Sequence, residues 1–331
     1  MRRLVALLAI VIAGAACRTG QNPTVPEPTG EPPGVSPGAG ASLVWRTLEP
    51  APTKRTEVAA AAAGNRIFVV GGFADGAATV GTVEIYDIDR NTWETGPPLP
   101  LPVNHAMAAT LDDQIYVVGG YAGLGLDKPT ARGFRFRDGR WSEIAEMPEV
   151  RAAAGLAVAD GKLVVGGGIG PNGLADSTLV FDPKSSRWSK APGVPTMREH
   201  LGVASADNRV FVVGGRAANV GNMNVAEAFD PTGGRWSKLP TMPTARGGLA
   251  AGAISNRFIV AVGGEAETTF KEAEAFDVQQ GKWVSLPPLP TPRHGLGVIG
   301  VGTVLYVISG GPIPGFAFSN ANEAIDLASL G

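Results

Sequence analysis

Apolar runs of three to five residues, mostly β-branched or aromatic, recur along the chain at a spacing of 47 to 49 residues. They read Ile67-Phe68-Val69-Val70, Ile115-Tyr116-Val117-Val118, Leu163-Val164-Val165, Val210-Phe211-Val212-Val213, Phe258-Ile259-Val260-Ala261-Val262 and Leu305-Tyr306-Val307-Ile308. Runs this short and this continuous predict buried strands. Each leads into a glycine pair: Gly71-Gly72, Gly119-Gly120, Gly167-Gly168, Gly214-Gly215, Gly263-Gly264 and Gly310-Gly311. Further along most copies comes an aromatic-Asp step, as in Tyr86-Asp87, Phe181-Asp182, Phe229-Asp230 and Phe276-Asp277, and then turn residues such as Asp230-Pro231-Thr232-Gly233-Gly234. Asp bonds its own downstream backbone and Pro presets φ, so these stretches predict hairpins. Each copy is expected to form four short strands. Only Val58 to Ala63 disagrees, because five consecutive alanines favour a helix. The same phase in other copies reads Leu156-Ala157-Val158 and Leu249-Ala250-Ala251, so this stretch is expected to be an innermost strand.

About 21 residues after each of the first five glycine pairs stands a tryptophan: Trp93, Trp141, Trp188, Trp236 and Trp283. The sixth, Trp45, lies in phase with them but ahead of the first pair, whereas the last copy ends at Asn322-Glu323-Ala324-Ile325-Asp326 without one. The chain is therefore permuted against its own repeat. A strand around Leu43 to Thr47 is expected to complete the last sheet and close a ring.

Gly-Gly, Tyr/Phe-Asp and Trp at this spacing resemble the Kelch repeat over residues 42 to 327. The resemblance implies an all-β fold: a six-bladed β-propeller of four-stranded blades, of the type found at the centre of galactose-oxidase-like proteins. Glu84, Glu227, Glu274 and Glu323 match the acidic position two before the aromatic, while the second and third copies carry Phe134 and Leu179 there.

Composition agrees. Gly contributes 46 of 331 residues and Pro 27, while charged residues reach only 18%, against about a quarter in an average soluble domain. That excludes a mainly helical protein, and 44% hydrophobic residues exclude wholesale disorder. A net charge of −2 gives no general attraction to nucleic acid. Repeat and composition together reduce the length to one domain, residues 42–331.

The first residues have their own pattern. Met1-Arg2-Arg3, the apolar run Leu4 to Ala13 and the small residues Gly14-Ala15-Ala16 form a secretory signal over residues 1–16. The chain's one cysteine, Cys17, follows directly. This resembles the lipobox of bacterial lipoproteins, apart from Gly14 where an aliphatic residue usually stands. It implies a diacylated Cys17, export to the cell envelope, and anchoring to the outer membrane or the outer face of the cytoplasmic membrane. Residues 17–41 then read as a Pro/Gly-rich tether.

Candidate chemistry gathers at one phase. Arg55, Arg151, Arg198, Arg246 and Arg293 stand 16 or 17 residues before their glycine pairs, with Val103 in the second copy. In Kelch-like propellers this phase starts on the ligand-binding face, so the five are candidates either for an anion-attracting ring or for bonding neighbouring loops. Two residues on come Glu57, His105, Ala153, His200, Gly248 and Gly295, expected to point toward the channel; His294 sits one residue earlier in its copy. A metal shared by His105 and His200 would require them to meet across the channel from non-adjacent blades. No metal site and no cofactor are expected, and the histidines are assigned to hydrogen bonding. The loops after the glycine pairs add Phe73, Tyr121, Arg216, Asn222 and Glu265, suited to sugar or peptide recognition. The last loop, Pro312 to Phe318, is apolar and either touches a partner or folds over the closing blade.

Two functions compete. The first is a non-catalytic, monomeric, lipid-anchored protein holding a protein, peptide or glycan on its loop face. The alternative is an isomerase, a mutarotase or epimerase of the sialic-acid type, using the arginines for a sugar carboxylate with Glu57, His105 and His200 as acid-base candidates. Copper-radical oxidation of the galactose-oxidase kind needs a cysteine cross-linked to tyrosine, and the processed chain retains only Cys17.

Overall fold

The computed structural model describes residues 43–123 and 125–330. The expected secretory signal, the expected lipidation at Cys17 and the expected tether fall outside them. Within the described residues the chain folds into six antiparallel four-stranded sheets; the first five are ordered from the inside outward as they run in sequence, and the sixth takes its outer strand from the N-terminal segment. The first contains Ala59–Ala63, Arg66–Val70, Val83–Asp87 and Thr92–Thr95. The alanine run is indeed the innermost strand. It contacts both the inner strand Met107–Leu111 of the second sheet and Gly297–Val301 of the sixth, so the inner strands form a closed ring around a channel.

The sixth sheet joins the two ends of the chain. Its outer strand is Trp45–Thr47, which pairs antiparallel with Ser319–Asp326, placing Trp45 opposite Ile325 and Thr47 opposite Glu323. Trp45 behaves as the other five do. Every indole N–H donates to a carbonyl near the previous sheet's exit: Trp45 to Pro287, Trp93 to Glu49, Trp141 to Pro97, Trp188 to Ala145, Trp236 to Pro192 and Trp283 to Pro240, all at 2.8 to 2.9 Å. Where the partner is aromatic, the ring also packs on it across the hairpin, as Trp93 does on Tyr86 with centroids 5.0 Å apart. The six tryptophans are thus a ring of stitches between neighbouring blades.

The glycine pairs fasten the blades at the opposite end of the second strand. The second glycine's N–H donates to the Arg-phase carbonyl of the next blade: Gly72 to Val103, Gly120 to Arg151, Gly168 to Arg198, Gly215 to Arg246 and Gly264 to Arg293. In the sixth blade this bond comes from Gly310, to Arg55. There the functional pair is Ser309-Gly310 rather than Gly310-Gly311, and Ser309 holds the same positive φ, 58°, as the first glycine elsewhere. The second position tolerates no side chain: at Gly72, with φ 94°, a Cβ would lie 2.5 Å from the Thr56 carbonyl oxygen. The fold is a six-bladed β-propeller closed by its N-terminal strand.

Because each blade is an up-and-down meander, the loops after the glycine pairs and the links between blades share one face. The hairpins within the inner and outer strand pairs occupy the other.

Candidate functional site at the loop-face mouth of the channel

The five arginines do not line the channel. Each is 0% exposed, with its guanidinium turned into its own blade. Four meet the acidic residue of the third strand: Arg55 with Glu84 at 2.7 Å, Arg198 with Glu227 at 2.6 Å, Arg246 with Glu274 at 2.7 Å and Arg293 with Glu323 at 2.5 Å. Arg151, whose blade carries Leu179 at that place, is met instead by Glu149, which also accepts from Lys190 at 2.6 Å. The remaining N–H groups go largely to carbonyls of the second strand and the glycine pair, as from Arg293 to Val307 and Ser309. The second blade lacks both members of the pair. Val103 and Phe134, each 2% exposed, lie in one apolar cluster there. Of the two sequence readings of these arginines, bonding within the scaffold is the one the geometry supports; an anion-attracting ring requires guanidinium groups open to solvent.

The next phase does reach the axis. Glu57, His105, Ala153, His200, Gly248 and Gly295 all have φ between 50° and 70°. This left-handed turn swings the chain toward its neighbour, and each N–H from His105 to Gly295 donates to the carbonyl of the preceding blade's residue at 2.9 to 3.1 Å. Val58 N–H to Gly295 O, 3.4 Å, closes the circle. The result is an annulus of main chain across the channel. Ala153, between His105 and His200, leaves space for two imidazoles, and their Nε2 atoms stand 3.0 Å apart. The condition for a shared site, that histidines of non-adjacent blades meet across the channel, is fulfilled: the annulus narrows the channel enough for them to touch.

Around this contact is a connected network. Glu57 Oε2 lies 3.2 Å from His105 Nε2, and Glu57 Oε1 lies 3.3 Å from His294 Nδ1. His294 Nδ1 also faces Glu265 Oε2 at 3.5 Å, while its Nε2 faces the Ile313 carbonyl at 3.2 Å. Glu199 binds His200 Nδ1 through one oxygen and Arg216 Nε, at 3.1 Å, through the other. Arg216 continues to Glu265 at 2.7 Å. All three histidines of the chain are in this cluster. Tyr121 is buried with its ring edge-on to His105, 5.6 Å between centroids.

Burial acts on every member, and its neighbours decide the outcome. Burial pushes His105 down to about 4, with Glu57 opposing, so its imidazole is neutral near pH 7. For Glu57, burial alone would raise the carboxyl. The interactions with His105, then His294 and His200, outweigh burial and hold it well below the usual carboxylate range. For His294, burial works downward but the nearby carboxylates of Glu57 and then Glu265 win, so its value is raised. Glu199 is held low in the same way, against burial, by His200 and Arg216.

Beneath the annulus Val58, Leu201, Leu249 and Leu296 crowd the channel, leaving a cavity of about 110 Å³. Above it, the last loop crosses the mouth. Thr269 Oγ1 donates to the Pro312 carbonyl, Gly315 N–H donates to Glu265, and Phe316 packs on Phe73 with centroids 5.2 Å apart. The loop thus reaches beyond its own closing blade to blades five and one. It folds over the mouth, and it presents Ile313 and Phe316 at 64% and 63% exposure.

Glu199 and Asn104 were missed in the sequence. They occupy the phase between the arginines and the annulus, Thr56, Asn104, Ala152, Glu199, Gly247 and His294, which bridges to the residue after each glycine pair, as Glu199 does to Arg216. His294 alone marked that phase.

Comparison with known families fits this architecture. The model of the KLHDC2/KLHL20/DRC7 Kelch-repeats domain matches residues 41–194, and that of the Kelch motif matches residues 197–243, together more than half of the chain. A search of curated proteins finds no match. Kelch propellers generally bind proteins. Blade count, repeat positions and family models agree: the chain belongs to the Kelch-repeat β-propeller family.

Proposed function

We propose that this chain is an exported, lipid-anchored binding protein that holds a protein or peptide on the loop face of its propeller. The observation that carries the reading is the chemistry of that face. Leu126, Val220, Ile313 and Phe316, each at least half exposed, stand on the loops after the second, fourth and sixth glycine pairs, around a buried charged network. Apolar side chains with a polar, pre-ordered surround suit a protein interface. The cavity at the annulus, about 110 Å³, is well below the ~300–1,000 Å³ typical of small-molecule sites. Isomerisation of an acidic sugar called on the arginines to hold the carboxylate, and all five are buried in the scaffold.

Two measurements test the two halves of the reading. Metabolic labelling with a fatty acid is expected to mark the full chain and to leave Cys17→Ser unlabelled; label retained in C17S would end the proposal of an anchor at that residue. A photo-reactive amino acid at Val220 or Phe316 is expected to cross-link a partner protein in the envelope, whereas the same probe at Lys184, on the opposite-face hairpin, gives none. Cross-links only from Lys184 would move the binding surface to the other face.

A further inference from the structure

The two touching imidazoles raise a question of protons. His200 Nδ1 faces a carboxylate oxygen of Glu199, which accepts and does not donate, so in the neutral ring Nδ1 carries the hydrogen and Nε2 presents a lone pair. His105 Nδ1 lies 2.6 Å from Asn104 Oδ1, with the amide oriented by Asn104 Nδ2 donating to Thr79 Oγ1 at 2.9 Å. His105 Nδ1 is then the protonated nitrogen, and its Nε2 also presents a lone pair. The third atom turned to the same point is Glu57 Oε2, an acceptor. With both rings neutral, three acceptors converge on one point with no proton among them, an arrangement that suits a cation.

The geometry points to a divalent transition-metal site formed by Glu57, His105 and His200, and we propose that it takes zinc or an ion of similar size and softness. The three ligand atoms all lie within 4.8 Å of one another. Two of the separations, 3.0 Å between the Nε2 atoms and 3.2 Å from His105 Nε2 to Glu57 Oε2, are close to the ~3.3 Å edge of a tetrahedron with bonds of about 2.0–2.1 Å. Two neutral imidazoles and one carboxylate suit such an ion better than calcium or magnesium, which favour oxygen ligands. The partners behind the ligands are those a metal site needs: Asn104 and Glu199 fix both ring tautomers, and Arg216 fixes Glu199. The cavity of about 110 Å³ beside the three ligands has room for water in a fourth position. Bound there, the ion ties together blades one, two and four at the mouth, under the face proposed for binding.

The test uses the full chain in detergent, stripped with a chelator and titrated with Zn²⁺ or Co²⁺. One ion per chain is expected, with the visible spectrum of four-coordinate cobalt and a rise in unfolding temperature with metal concentration. Because the three histidines are the only ones in the chain, their ¹⁵N spectrum reads the site directly. His105 and His200 are each expected to show a protonated Nδ1 and an Nε2 shifted by the metal. His105→Gln and His200→Gln are expected to abolish the cobalt spectrum, Cys17→Ser to leave it intact, and the positioning variant Glu199→Gln to weaken affinity about 10–100-fold. Three results each overturn the site: a folded wild-type chain that binds neither ion at 100-fold excess; binding unchanged in both histidine variants; or a His105 that carries its proton on Nε2 in the presence of metal, with Asn104 turned round. The wild-type titration and spectrum decide the matter even where a variant fails to fold.

Discussion

Replacing Arg198 by methionine is expected to cost the propeller about 3–5 kcal/mol, the usual penalty for removing one partner of a buried ion pair. All five of its N–H groups have acceptors: Gly214 O at 2.5 Å, Thr196 O at 2.7 Å, Glu227 Oε2 at 2.6 Å, Val212 O at 2.9 Å and Val225 O at 3.4 Å. Glu227 is itself 0% exposed, so the variant strands a carboxylate in the blade. Against a typical total stability of roughly 5–15 kcal/mol this is a large fraction. In urea the midpoint falls while the slope stays the same. Removing both charges should behave differently. The Arg198→Met, Glu227→Met double variant is expected to recover most of the loss, because an apolar pair of similar volume avoids the desolvation cost. The second blade already uses that solution, with Val103 and Phe134 in one core cluster. A single variant within 1 kcal/mol of wild type would show that the pair contributes little to the blade.

The same comparison shows what the sequence conveyed and what it concealed. Blade number, strand order and the permuted Trp45 were legible because they depend on period, and period survives in one dimension. The direction of the arginines was not. Arg55 and Glu57 are two residues apart, and an unbroken strand would put both on one side. The left-handed turn at Glu57, φ 53°, breaks the alternation, sending Arg55 into the blade while Glu57 reaches the axis. One clue to the arginines did stand in the sequence: the second copy lacks the arginine and the acid together, as expected of residues that pair. The third copy obscured it, since Glu149 replaces the missing acid from a link rather than a strand. The meeting of His105 and His200 was hidden for a different reason. It depends on how far the annulus closes the channel, and that is set by main-chain bonds between blades, which no local pattern encodes. The shift to Ser309-Gly310 is smaller, and Gly311 concealed it by offering a second glycine in the next place.

Deleting residues 43–48 is expected to open the ring, with an effect at least as large as any single substitution in a blade. The loss has three parts. Trp45 leaves the core cluster that contains Leu286, Leu305 and Ile325, and its bond to Pro287 O goes with it; removing a buried tryptophan costs about 3–5 kcal/mol where burial is complete, less here where it is partial. The ladder from Trp45–Thr47 and the Leu48 N–H bond to Asn322 O disappear. Finally, the third strand of the last blade, Ser319–Asp326, becomes an edge eight residues long, and its own Ala324 and Ile325 lose the strand that pairs with them. An unpaired edge is a template for another chain. The truncated protein is therefore expected to unfold at lower temperature and to elute partly as dimers and larger species, and a synthetic peptide spanning residues 43–49 should restore the monomer by adding back as a strand. The closure is an antiparallel pairing in fixed register, so a peptide with Trp45 replaced by alanine should rescue poorly. If the truncated chain instead remains monomeric with the unfolding profile of the intact protein, the sixth blade is stable with three strands, and the N-terminal segment does not hold the ring shut.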